Sequence, residues 1–94
     1  MADYTFDGKE LHDRRGHRVG EIDGNLFRDG HGRRVGEIDG NLFRDGHGRR
    51  VGEFDGRVIR DSHGSRISTL DDVKKIIDGI GGTSLVAMWL FFVR

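Results

Sequence analysis

A chain of 94 residues with 16 basic and 16 acidic side chains carries no net charge at neutral pH, so no overall field draws it to nucleic acid or to an anionic membrane. Cysteine does not occur in it, which excludes a disulfide framework and a thiolate zinc site. Hydrophobic and charged residues each make up 34%, enough for one small core and no second one.

The opening Met-Ala-Asp-Tyr lacks the basic and apolar stretches of a secretion signal. The longest apolar run, Leu85 to Val93, is nine residues against the roughly 20 a membrane helix needs. The expectation is a soluble, cytoplasmic protein of one domain over residues 1–94, without membrane or nucleic-acid partners.

Internal repetition is the strongest signal. Asp-Gly recurs at Asp7-Gly8, Asp23-Gly24, Asp39-Gly40 and Asp55-Gly56, a period of sixteen residues that divides 7–70 into four copies. The second and third copies differ only at their last position, Ile38 against Phe54. Asp3 to Phe6 reads as one further strand, since Phe6 occupies the slot of Ile22, Ile38 and Phe54. Each Asp-Gly favours a two-residue type I′ hairpin, because glycine accepts positive φ without a steric penalty. Midway through each copy stands Asp-x-x-Gly, at Asp13 to Gly16, Asp29 to Gly32, Asp45 to Gly48 and Asp61 to Gly64. Aspartate suits the first position of a type I turn, and the closing glycine the left-handed bulge. The predicted fold is therefore mainly β: four 16-residue β-hairpin repeats over 3–70, antiparallel and expected to close into a four-fold arrangement, followed by a helical and apolar tail over 71–94.

The apolar positions fall into columns. Leu11, Phe27, Phe43 and Ile59 are equivalent, as are Val19, Val35, Val51 and Ile67, and Ile22, Ile38, Phe54 and Leu70. A fourth column, Leu26, Leu42 and Val58, is broken by Glu10 in the first copy. Three or four such side chains per copy make a thin core at about 1.5–3 kcal/mol each. Ring closure would let the columns meet and would hide the sheet edges.

The tail is expected to supply the rest. Thr69 before Asp71 and Asp72 marks a helix start, and Val73, Ile76, Ile77 and Ile80 recur at helical spacing until Gly79, Gly81 and Gly82 stop it. Thr83 or Ser84 can cap a second element. Leu85 to Val93 is apolar on every side and is taken as helix, buried as a plug over the repeats or in a subunit interface; Leu85, Met88, Trp89, Phe91 and Phe92 are its core or interface residues.

Short repeats with Asp-x-x-Gly hairpins, as in Leu26-Phe27-Arg28-Asp29-Gly30-His31-Gly32-Arg33, resemble the four-fold β-flower domain family of bacterial proteins. The resemblance covers 3–70 and implies a shape; that family carries no established activity, so no functional residue transfers. Asp-x-x-Gly-Arg is also similar to the tyrosine–aspartate repeats of large bacterial surface toxins, whose tyrosine is replaced here by Phe, His or Ile.

Four constellations could carry chemistry. His31, His47 and His63 share one turn position, where the first copy has Arg15, and imidazoles are common metal ligands. Against that, hairpin tips point outward and ligands must converge on one ion. Arg18, Arg34, Arg50 and Arg66 recur in every copy, with Glu21, Glu37 and Glu53 three residues later in three of them. Cross-strand ion pairs on a solvated face are the plain reading, and a ring of arginines holding a phosphate or carboxylate the sharper one. Gly79 to Ser84 lacks the lysine and preceding strand of a phosphate loop. Ser62, Ser65, Ser68 and Ser84 stand in no nucleophile motif. The functional expectation is a non-catalytic structural or interaction module without a cofactor, self-associating through its apolar tail. Anion binding by the arginine column is the alternative, and metal binding by the histidine column the third reading.

Overall fold

A computed structural model describes residues 2–94, and its architecture follows from the turns. At Asp13, Asp29, Asp45 and Asp61 the aspartate carbonyl accepts from the glycine N–H three residues on, at 3.0–3.1 Å. The chain reverses there, and a register shift beside each such turn marks the bulge: Leu11/His12, Phe27/Arg28, Phe43/Arg44 and Ile59/Arg60. Between these turns lie β1 (Tyr4–Phe6), β2 (Glu10–Asp13), β3 (Arg18–Asp23), β4 (Leu26–Asp29), β5 (Arg34–Asp39), β6 (Leu42–Asp45), β7 (Arg50–Phe54), β8 (Val58–Asp61) and β9 (Arg66–Thr69). Each pairs antiparallel with the next.

The Asp-Gly turns differ from expectation. In the second and third copies Asp23 pairs with Leu26 and Asp39 with Leu42, so the two central residues are Gly24-Asn25 and Gly40-Asn41. Gly24 and Gly40 have φ of +66° and +63°, while no described residue other than glycine has positive φ. One positive φ at the first central position is the type II′ geometry, in place of I′.

The helical part is shorter than the spacing predicts. Thr69 caps α1 (Leu70–Ile76), its Oγ1 accepting from the Asp72 N–H at 3.3 Å, with Asp71 and Asp72 at the positive end of the dipole. Ile77, expected to continue that helix, instead opens β10 (Ile77–Gly79), which runs parallel to β1 in the register Tyr4↔Ile77 to Phe6↔Gly79. The open edge of β1 offers unpaired backbone groups, and a β-branched residue meets them more readily than it prolongs a seven-residue helix. Ile80, read as the next position of the helix face, is 78% exposed.

The ten strands form one sheet in the order β10-β1-β2-β3-β4-β5-β6-β7-β8-β9, with β10 and β9 as its edges. The sheet is not closed by hydrogen bonds. It is nonetheless strongly curled: ten strands laid flat span about 43 Å, whereas α1 joins one edge to the other with a rise of about 10 Å.

Inside the curl sit Phe6, Leu11, Phe27, Phe43, Phe54 and Ile59 from the sheet, with Val73 and Ile77 beside them. The remaining core comes from α2 (Thr83–Met88), which begins at Gly82 without a side-chain cap, and the π-helical segment Trp89–Val93 that follows it. The Arg94 N–H donates to the Trp89 carbonyl at 2.9 Å, closing a single wide turn. Gly20, Gly36 and Gly52, equivalent in three copies, leave room for it: a Cβ there would stand 2.5 Å from Phe92, 2.5 Å from Phe91 and 3.1 Å from Leu90 respectively. The chain therefore lays consecutive side chains of its last segment against consecutive copies of the repeat, in reverse order.

Candidate functional site

The repeated polar residues are engaged in holding the fold. Asp13 Oδ1 accepts from the N–H groups of Arg15 and His17 at 2.9 Å each, and Asp29, Asp45 and Asp61 do the same for the residues two and four positions on, at 2.8–3.0 Å. The more distant of those N–H groups, on His17, Arg33, Arg49 and Ser65, is the leading cause that holds each carboxyl below the ordinary aspartate range. Asp7 and Asp55 are lowered in the same way, chiefly by the N–H groups of Glu10 and Val58. These carboxylates are turn closures.

The arginine column has a corresponding task. Arg18, Arg34 and Arg50 donate Nη2–H to the carbonyls of Gly30, Gly46 and Ser62 at 3.5, 2.9 and 3.0 Å. Each staples its own copy to the turn of the next, while Arg66 has no following copy to reach. Cross-strand ion pairs of the expected kind do form on the sheet, at Arg18–Glu10, Arg28–Asp23 and Arg44–Asp39, and Glu21, Glu37 and Glu53 are not among their partners. Arg28 and Arg44, opposite Glu21 and Glu37 in the register, turn instead to Asp23 at 2.7 Å and Asp39 at 3.3 Å. Arg18 lies 3.7 Å from Glu10.

His31, His47 and His63 are exposed, one on each turn, and enter the hydrogen bonds through their backbone N–H. They do not meet. Among the described residues the one group of three metal-ligating side chains is Asp7, Glu10 and His12, whose ligand atoms lie within 4.8 Å of one another.

That group belongs to the first copy, where the repeat is broken. Glu10 replaces Leu26, Leu42 and Val58; His12 replaces Arg28, Arg44 and Arg60; Arg14 and Arg15 replace the Gly-His or Ser-His of the later turns. The last two changes build a cleft of about 410 Å³ lined by Asp3, Tyr4, Asp13, Arg14, Arg15 and His17. Arg14 is ion-paired with Asp3 across it, and His17 stands 3.7 Å from Asp13. Arg15 is exposed and forms no ion pair among the described residues. Sequence reasoning passed over this surface because it weighed the columns that recur, and the signal lay in the positions that do not.

The apolar tail is core. Leu85 and Met88 are wholly buried within the chain, as are Val86 and Ala87, and Trp89 is 9% exposed. Phe91 and Phe92 are half-buried, with Phe91 against Phe27 at a ring-centroid distance of 5.2 Å. No described helix is long and apolar enough to cross a membrane. The chain matches no family model, no curated protein and no solved structure.

Proposed function

We propose that this chain is a non-catalytic interaction module in which the second to fourth copies are scaffold and the first copy, with β1, is the contact surface. The observation that carries the reading is the distribution of function among equivalent residues. In the later copies aspartates close turns and arginines staple neighbours or pair with Asp23 and Asp39. In the first copy Asp13 and Arg18 keep those tasks, while Arg14 and Arg15, which stand where the later copies have Gly-His or Ser-His, line a cleft with Asp3, Asp13, His17 and the ring of Tyr4. Two guanidiniums beside an aromatic face suit a partner that presents carboxylates, and a partner's acid can take the place of Asp3 on Arg14. A flower-like arrangement, the four copies curled about the C-terminal helical segment, is part of this proposal. Its support is the shared register and the glycine column under Leu90, Phe91 and Phe92.

The test is a titration of the ¹⁵N-labelled chain with a glutamate-rich peptide, followed by amide shifts. Movement confined to β1 and residues 13–17, and lost in Arg14→Gly with Arg15→His, is the expected result. Those substitutions restore the residues of the second copy, so the fold tolerates them. Shifts spread over the whole sheet, or unchanged in the double variant, overturn the reading.

Self-association is a second reading, favoured by the absence of net charge that would hold copies apart and by the half-buried Leu90, Phe91, Phe92 and Val93. Light scattering that gives a mass rising from 10.6 kDa toward twice that value with concentration supports it, and a constant 10.6 kDa removes it.

A further inference from the structure

We infer that Asp7, Glu10 and His12 form a binding site for a divalent transition-metal ion of the zinc or cobalt type on the outer face of the first hairpin. Glu10 and His12 lie two residues apart on β2, so both project to the face opposite Leu11, which is fully buried. Asp7 follows β1 directly, and the β1–β2 register, Phe6↔Leu11, brings it beside them. The Asp7 Oδ1 caps the turn by accepting from Lys9 and Glu10 at 2.9 and 2.7 Å, which fixes the carboxylate and leaves Oδ2 for a ligand. Glu10 Oε1 stands 3.4 Å from His12 Nε2. Ligand atoms about 2.0–2.2 Å from a tetrahedral ion stand roughly 3.4 Å apart, so this pair is spaced as two vertices of such a site. The cationic neighbour is Arg18, opposite His12 in the register, 3.7 Å from the other oxygen of Glu10. It orients the carboxylate with Oε1 toward the histidine.

The repeat supplies an internal control. The equivalents of Asp7 in the second and third copies, Asp23 and Asp39, are neutralised by Arg28 and Arg44. A guanidinium keeps its proton and cannot ligate a metal, whereas a neutral imidazole presents a lone pair at pH 7. In the first copy that arginine position holds His12 and the neighbouring apolar position holds Glu10. Two changes at one place thus turn an ion pair into two carboxylates and an imidazole, the donor set of a borderline divalent cation. A tetrahedral ion takes its fourth ligand from water.

The experiment is calorimetric titration of the tag-free, chelator-treated full chain with zinc chloride, and with cobalt chloride followed by its visible absorption. One ion per chain is expected. Affinity should fall at least tenfold in Glu10→Leu and in His12→Arg, each of which installs the residue of the later copies and preserves the far-ultraviolet circular dichroism. The triple change of His31, His47 and His63 to asparagine should leave affinity unchanged. No binding, binding unaltered by Glu10→Leu and His12→Arg, or binding lost in the triple variant overturns the assignment. The cleft substitutions at Arg14 and Arg15 leave these three ligands in place, so the outcome is independent of the peptide titration.

Discussion

A Cβ placed on Gly36 would stand 2.5 Å from the ring of Phe91 and 2.5 Å from the carbonyl oxygen of Arg44. Gly36 pairs with Phe27 on one side and Asp45 on the other, in the middle of the curled sheet. Its backbone is not in the left-handed region, so the missing side chain is a matter of space alone.

Gly36→Ala is therefore expected to lower stability by about 1–3 kcal/mol through overpacking. Gly46→Ala, whose Cβ would first meet a backbone oxygen at 3.4 Å, is expected to cost much less. Urea denaturation of the two variants separates the cases, and equal losses would remove the close approach of Phe91 from the account of the fold.

The turn aspartates predict the acid limb of stability. Asp7, Asp13, Asp29, Asp45, Asp55 and Asp61 are all held below the ordinary range by backbone N–H donors. A carboxyl depressed in the folded state contributes stability above its unfolded value of about 3.9, and the contribution is lost as pH falls through the lower folded value. The urea midpoint should accordingly hold level down to about pH 5 and fall below about pH 4. Asp45→Asn keeps acceptors for the Arg49 and His47 N–H groups but carries no charge. It should flatten the acid limb while leaving the structure in place.

The repeat, its Asp-x-x-Gly turns and most of the sheet's core were legible because they are local. Asp-x-x-Gly specifies its own hydrogen bonds within five residues, and Phe27 and Phe43 announce themselves by recurring. Thr69 as a helix cap is equally local. What escaped depends on contacts distant along the chain. Ile77 fits the helical spacing of Val73 and Ile80, and nothing near it reveals that Tyr4 waits as a strand partner. The need for glycine at 20, 36 and 52 shows only once Leu90, Phe91 and Phe92 are brought over them. Leu26, Leu42 and Val58 count as core by type, yet they share the outer face with Arg28, Arg44 and Arg60 and are half-buried. The arginine column was read for its charge, whereas Arg18, Arg34 and Arg50 each also reach a neutral carbonyl that no sequence pattern displays.

The tail supplies a large part of the core on which the repeats pack. Of the thirteen buried hydrophobic residues among the described ones, Leu85, Val86, Ala87, Met88 and Trp89 come from the last twelve positions. The four copies alone would leave Phe27, Phe43 and Ile59 facing water across the inner face of the sheet. Met88→Ala should cost about 2–5 kcal/mol, as expected for a wholly buried side chain. Ile80→Ala, at 78% exposure, should change stability by less than about 0.5 kcal/mol. Removal of Thr83–Arg94 should abolish cooperative unfolding. A truncated chain that still melts in one transition would mean that the turns and staples suffice, and that the glycine column was shaped for something other than the helical segment now lying on it.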